Sequence, residues 1–212
     1  AAHGGPLLPA VAASLVADAC AGLQYAHTLR DKQGKPLKLV HRDIAPDNLM
    51  VDRAGQVRLV DFGIARCEGT EVTTQTGMRK GKVRYMAPEY VNEHHADACS
   101  DVYSMGATLF ELVTGQKPFS ELQTTAGVYR ALVRDGLPRA SKVRPSLPPA
   151  LVEIIAGATA IGRAVRVQSA RSLELLLRDW IRSCAPECAG ALPLAWNSYA
   201  IATRIPNWIR AW

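Results

Sequence analysis

Four short blocks of this 212-residue chain hold side chains whose types and spacing can do chemistry. They are His41-Arg42-Asp43-Ile44-Ala45-Pro46-Asp47-Asn48, then Asp61-Phe62-Gly63, then Ala87-Pro88-Glu89, and finally Asp101-Val102-Tyr103-Ser104-Met105-Gly106. A carboxylate such as that of Asp43 can orient a hydroxyl and accept its proton. The oxygens of Asn48 and Asp61 are hard donors, suited to a divalent cation that prefers oxygen. The cysteines offer less. Cys20, Cys67, Cys99, Cys184 and Cys188 are odd in number and scattered, which argues against a disulfide framework and for a reducing, cytoplasmic location. Cys184 and Cys188 could lie one helical turn apart, but no second Cys/His pair accompanies them to hold zinc.

A lone Asp-Phe-Gly is weak evidence, because three-residue strings recur by chance. Four blocks in register are strong evidence. In this order and spacing they resemble the catalytic loop, metal-binding motif, activation-segment anchor and central-helix start of the protein kinase family. The resemblance covers about residues 9–182 and implies a protein-kinase-like C-terminal lobe, mainly α with a small β-hairpin. It implies ATP and Mg²⁺ as cofactors and a protein as substrate.

The same resemblance assigns roles. Asp43 orients the substrate hydroxyl and accepts its proton, while Asn48 and Asp61 hold magnesium against the nucleotide phosphates. Met50 resembles the apolar floor beneath adenine, a position where Met serves equally well as core filler. His41 and Phe62 resemble the stack that supports the metal-binding motif, which Gly63 completes. Asp101 resembles a buried acid that hydrogen-bonds the catalytic-loop backbone, and Glu89 the partner of a late arginine, for which Arg166 is the candidate. Because Arg42 precedes Asp43, the family pattern implies activation by a phosphate that pairs with Arg42. Thr70, Thr73, Thr74 and Thr76 are the candidate sites, with Thr74 and Thr76 preferred for their nearness to Arg79, Lys80 and Lys82.

The sequence also departs from the family pattern. Nothing before His41 resembles a Gly-rich phosphate loop or a strand lysine, so the N-terminal lobe is expected to be missing and the chain alone nearly inactive. Serine/threonine kinases usually carry Lys two residues after the catalytic Asp, where this chain has Ala45, and Thr after the glycine where it has Lys82. Tyrosine kinases tolerate Ala at the first position but place Arg where this chain has Asp47. The strings Tyr85-Met-Ala-Pro-Glu89 and Thr114-Gly-Gln-Lys-Pro-Phe119 read as the serine/threonine type seen in bacteria. Lys82 is therefore a candidate catalytic residue that returns the charge missing at Ala45. Arg84 is expected to be a neighbouring charge with no missing partner to replace. A non-catalytic kinase-like binding module or a degenerate fragment is the rival reading.

The elements that must position these residues are legible as patterns. Val11, Leu15, Ala19, Leu23 and Ala26 recur at helical spacing and predict a helix from Ala10 to about Leu29, ended by Asp31-Lys-Gln-Gly34. Short apolar runs at Leu49 to Val51 and Val57 to Val60 flank Asp52-Arg-Ala-Gly55 and predict a hairpin between Asn48 and Asp61. Gly63 to about Lys82 reads as a long loop. Asp101 to Thr114 is apolar nearly all round and predicts a buried central helix stopped by Gly115. Further helices are expected near Leu122 to Val133, near Ala150 to Ala158, and from Ala170 to Arg182, where Leu173, Leu176, Leu177, Trp180 and Ile181 form a stripe. The expected division is a lobe over 1–183 and an unassigned tail over 184–212.

Composition sets the outer limits. Hydrophobic residues make up 48% and charged residues 21%, which excludes a disordered chain. The net charge of +6 is spread along the sequence and interrupted by acids, so nucleic acid is not expected as a partner. No apolar run approaches the ~20 residues that span a bilayer, so no membrane segment is expected.

Overall fold

A proline is tolerated only at the start of a helix, where its missing N–H costs nothing, and Pro9 opens α1 (Pro9–Thr28) in that way. The computed structural model describes residues 5–62, 81–93 and 95–184. Helix α1 buries Val11, Leu15, Ala19, Leu23 and Ala26, as its periodicity predicts, and also Ala12, Val16 and Cys20. Beyond it the Asp31 carboxylate accepts from the backbone N–H groups of Gln33 and Lys35, both at 2.9 Å, which turns the chain away.

The hairpin consists of β1 (Leu49–Val51) and β2 (Val57–Leu59), antiparallel, with Leu49 opposite Leu59 and Val51 opposite Val57. Its turn repeats the earlier device, since Asp52 accepts from Ala54 and Gln56 at 2.9 Å and Gly55 takes a left-handed φ of 82°. Leu49 and Val51 point into the core beside α1 and α3, while Met50, on the opposite face of the strand, is only partly buried.

Helix α2 (Pro88–Glu93) is followed by the central helix α3 (Ala98–Thr114). Its start lies three residues before the expected Asp101, because Asp97 caps it. The Asp97 carboxylate accepts from Cys99 N–H and Ser100 N–H, and the Ser100 hydroxyl answers the Asp97 N–H. Gly115 ends the helix in a left-handed conformation, φ 71°, that only glycine adopts without strain. Val102, Met105, Leu109 and Val113 are wholly buried. Around α3 stand α1, α5 (Ala140–Val143), α6 (Pro149–Ala158) and α7 (Ala170–Ser183), with α4 (Thr125–Arg134) packed on α2. Helices α2 and α5 were not apparent as patterns, being too short to show a period.

In α7, Leu173, Leu177 and Trp180 are buried against α1, but Leu176 is 43% exposed, so the apolar face is narrower than its stripe suggests. Two links close the α1–α7 seam: a partly buried one from Arg178 to the Asp18 carboxylate at 3.0 Å, and an exposed one from Arg171 N–H to the Gln24 side chain at 3.0 Å. Gly63, Thr70, Thr73, Thr74, Thr76, Cys67, Cys188 and the tail beyond Cys184 lie outside the described residues.

Candidate active site

The site is assembled around one carboxylate. Asp101, in the first turn of α3 and 1% exposed, accepts from three donors: His41 N–H at 2.7 Å, Arg42 N–H at 2.9 Å and His27 Nε2–H at 2.8 Å. This grip holds Arg42 at φ 63°, a left-handed backbone unusual for a residue with a side chain. The resulting kink presents Asp43. A short 3₁₀ turn, Pro46–Asn48, then brings Asn48 back beneath it, and Asn48 is 2% exposed.

Asn48 uses its amide nitrogen on Asp43, donating to the backbone carbonyl at 2.6 Å and to carboxylate Oδ2 at 3.1 Å. Its Oδ1 is thereby turned away from Asp43. The backbone of Asn48 also accepts from Val60 N–H at 3.0 Å, which ties it to the residue just before Asp61. Asp61 is exposed and left-handed, φ 56°, so its carboxylate stands out from the end of β2. The donor set fits magnesium, since both residues offer the hard oxygens that this ion prefers. Among the described residues no group of three or more His, Cys, Asp or Glu side chains could hold a metal by itself.

Beneath Asp61, His41 stacks on Phe62 with ring centroids 4.4 Å apart and donates from Nε2 to the Val60 carbonyl at 3.1 Å. Its buried Nδ1 has no partner among the described residues. Burial lowers the His41 pKa from its ordinary 6.5, against the opposing pull of Asp101 and Asp43, so the neutral ring is favoured.

Lys82 begins a second 3₁₀ turn, Lys82–Tyr85, and its Nζ lies 2.5 Å from Asp43 Oδ2. The other polar side chains of this turn face elsewhere. Arg84 donates to the backbone carbonyls of Pro118 at 2.9 Å, Leu122 at 2.8 Å, and Phe119. Arg84 thus clamps the backbone that follows α3. The Tyr85 hydroxyl donates to the Glu111 carboxylate, and burial pushes its pKa far up, with Glu111 and Asp47 adding to the shift. Ala45, two residues past Asp43, is packed among Tyr85, Ala87, Tyr103 and Ala107.

Farther from Asp43, Arg166 meets Glu89 in a two-pronged pair, Nη1 to Oε1 at 2.7 Å and Nη2 to Oε2 at 2.9 Å. The guanidinium also donates to the carbonyls of Ala160, Cys99 and Ile161 and lies 5.1 Å from the Tyr103 ring centre. Burial pushes the Glu89 carboxyl up, but hydrogen bonds from Arg166, its own backbone and Ser100 outweigh it and hold the group below its ordinary 4.5. The structure thus gathers His41, Asp43, Asn48, Phe62, Lys82 and Asp101 around one loop, with Asp61 beside it, and pairs Glu89 in the first turn of α2 with Arg166 between α6 and α7. Sequence reasoning missed His27, Glu111, Asp97 and the Arg84 clamp. Only Asp97 had a usable signal, the Asp-x-x-Ser spacing before an apolar run.

Comparison with known proteins places this geometry in context. The family model described as "Protein kinase domain" matches residues 3–170. The chain is 38% identical over 191 residues to "Tyrosine-protein kinase MasK" of Myxococcus xanthus, covering 88% of this chain and 28% of that protein. It is 37% identical over 166 residues to "Serine/threonine-protein kinase PknL" of Mycobacterium tuberculosis, covering 78% and 39%. Against "Serine/threonine-protein kinase PknB" of Mycolicibacterium smegmatis the identity is 35% over 158 residues, covering 72% and 24%. The chain thus spans between about a quarter and two fifths of the length of these relatives.

Proposed function

This chain belongs to the protein kinase family, and from that premise we propose that it is the C-terminal lobe of a serine/threonine kinase, transferring the terminal phosphoryl group of ATP to protein hydroxyls. The lobe spans 1–183, and 184–212 is a tail without an assigned role. Asp43 receives the hydroxyl proton on Oδ1, the oxygen left open by Asn48 and Lys82. Asn48 Oδ1 and the Asp61 carboxylate would hold the magnesium that accompanies the nucleotide, which would supply charge neutralisation at the phosphates. Met50 offers an apolar surface toward the base.

The observation that carries this reading is the orientation of Asn48. With its nitrogen committed to Asp43 at 2.6 and 3.1 Å, one side chain both fixes the proton acceptor and frees an oxygen for the metal. The free cysteines Cys20, Cys99 and Cys184 are in keeping with a reducing, cytoplasmic setting. Among the described residues no helix is long and apolar enough to cross a membrane.

The test joins the chain to a nucleotide-binding N-terminal lobe and measures phosphotransfer with phosphoamino-acid analysis. Asp43→Asn should lower kcat by about 10² or more while nucleotide affinity holds, because the acceptor acts mainly in the transition state. Asp61→Ala should abolish magnesium-dependent turnover. Phosphoserine or phosphothreonine as product supports the reading; phosphotyrosine alone would move the chain to the class of its Myxococcus relative. An Asp43→Asn protein that kept full turnover and lost ATP affinity would refute the roles assigned here, whereas a joined protein without phosphotransfer would leave the non-catalytic module standing.

A further inference from the structure

We propose that the cation serving the catalytic carboxylate has been moved off the catalytic loop and onto the Lys82–Tyr85 turn, so that Asp43 is set for catalysis only while that turn is seated. The proposal rests on the kinase reading above and adds a positioning residue and a mode of control to it.

The catalytic loop itself supplies no cation after Asp43. Ala45 is 2% exposed and closed in by Tyr85, Ala87, Tyr103 and Ala107. Lys82 fills the role from a different segment, its Nζ 2.5 Å from Asp43 Oδ2. The pair is not an ordinary surface contact, since the two side chains are only 12% and 22% exposed and solvent screens them little. Lys82 and Asn48 both engage Oδ2, which fixes the carboxylate rotamer and leaves Oδ1 without a partner among the described residues. A proton acceptor held in one orientation is worth more than a freely turning one.

The turn that carries Lys82 is held from the opposite side. It is entered through Gly81 at φ 115°, a conformation that L side chains rarely adopt. Val83 and Met86 are buried with Phe119, Val128 and Leu132. Arg84 grips the three carbonyls after α3, and Tyr85 holds Glu111. Lys82 therefore reaches Asp43 from a platform built by its neighbours. Anything that lifts the platform withdraws the ammonium as well, whereas a lysine at position 45 would stay with Asp43 regardless.

Two measurements test this. In the 212-residue chain with ¹⁵N-labelled lysine, the Lys82 ammonium should give a slowly exchanging NMR signal, assigned by its loss in Lys82→Ala. The signal should disappear in Asp43→Asn, and should also disappear in Arg84→Ala with helical circular dichroism unchanged. A Lys82 signal that is absent from the wild type, or indifferent to Asp43→Asn, overturns the contact.

In the chain joined to an N-terminal lobe, Lys82→Ala and Arg84→Ala should each lower kcat by about 10-fold to 100-fold with the KM for ATP within about threefold. Lys82→Arg should keep most of the rate. In the exchange variant Ala45→Lys/Lys82→Ala, kcat should recover about tenfold and should no longer respond to Arg84→Ala, a non-additivity that a merely structural Arg84 cannot produce. Losses that simply add, or no recovery in a folded exchange variant, overturn the relocation; if the exchange variant does not fold, the Arg84→Ala signal decides. A joined protein without phosphotransfer but with a protected Lys82 ammonium overturns the kinase reading and leaves the pair a structural tie.

Discussion

Replacing Arg166 by Met strands Glu89. The Arg166 and Glu89 side chains are 0% and 5% exposed, so water cannot replace the lost guanidinium. Breaking a buried ion pair from one side costs about 3 to 5 kcal/mol, because the remaining charge keeps its burial and loses its partner. Arg163, whose Nη1 lies 3.7 Å from Glu89 Oε1, softens the loss and favours the lower end. For a chain of this size about 3 kcal/mol lowers Tm by roughly 6 to 12 °C. Urea unfolding of the 212-residue chain measures the change directly as a shift in midpoint at constant slope. The pH dependence discriminates further. In the wild type the Glu89 carboxyl lies below its ordinary 4.5, so its stabilisation is present above that value and is lost as pH falls below it. In Arg166→Met the opposing hydrogen bonds are fewer, burial gains the upper hand, and acid relieves the stranded charge. The two stability curves should therefore converge on acidification. A cost below about 1 kcal/mol, or curves that run parallel down to about pH 4, would refute the reasoning.

Two other outcomes follow from packing and titration. A methyl at Gly106 would lie 2.7 Å from Ala158 Cβ and 2.8 Å from Thr159 Cγ2, so Gly106→Ala should destabilise the chain by about 1 to 3 kcal/mol, read by thermal unfolding. Because the folded-state pKa of His41 is lowered from 6.5, its stabilisation is present above pH 6.5 and is lost as pH falls below it; His41→Phe should flatten the stability curve just below pH 6.5 and leave the carboxylate-driven loss at lower pH in place.

Much of the helical frame was readable because long helices repeat their apolar residues every three to four positions. The stripe of α1, the all-round apolar character of α3 and the Gly115 stop each left such a trace. The capping box Asp97-Ala-Cys-Ser100 sets the start of α3 ahead of its apolar run, and α2 and α5, at six and four residues, are too short for an apolar repeat to show. Site residues within a few positions of each other, such as Asp43 and Asn48, were legible as motif. Partners brought together by the tertiary fold were not. His27 meets Asp101 across 74 residues. Arg84 binds backbone carbonyls, which every residue carries, so nothing in the sequence could name its partners. Lys82 was singled out only because Ala45 stands where a lysine was expected.

The three donors on Asp101 also bear on when the site forms. His41 and Arg42 have their N–H groups committed to a side chain on α3, separated from them by 60 and 59 residues, rather than to a neighbouring turn. The 41–48 loop therefore has no native shape of its own until α3 is docked in the core. Its amides should exchange with solvent only when the whole core opens, as slowly as the amides of α3, whereas the hairpin turn at Asp52 to Gly55, held by its own local hydrogen bonds, can open and close alone. Site and core then rise and fall as one cooperative unit, and an unfolded minority carries no half-made 41–48 loop.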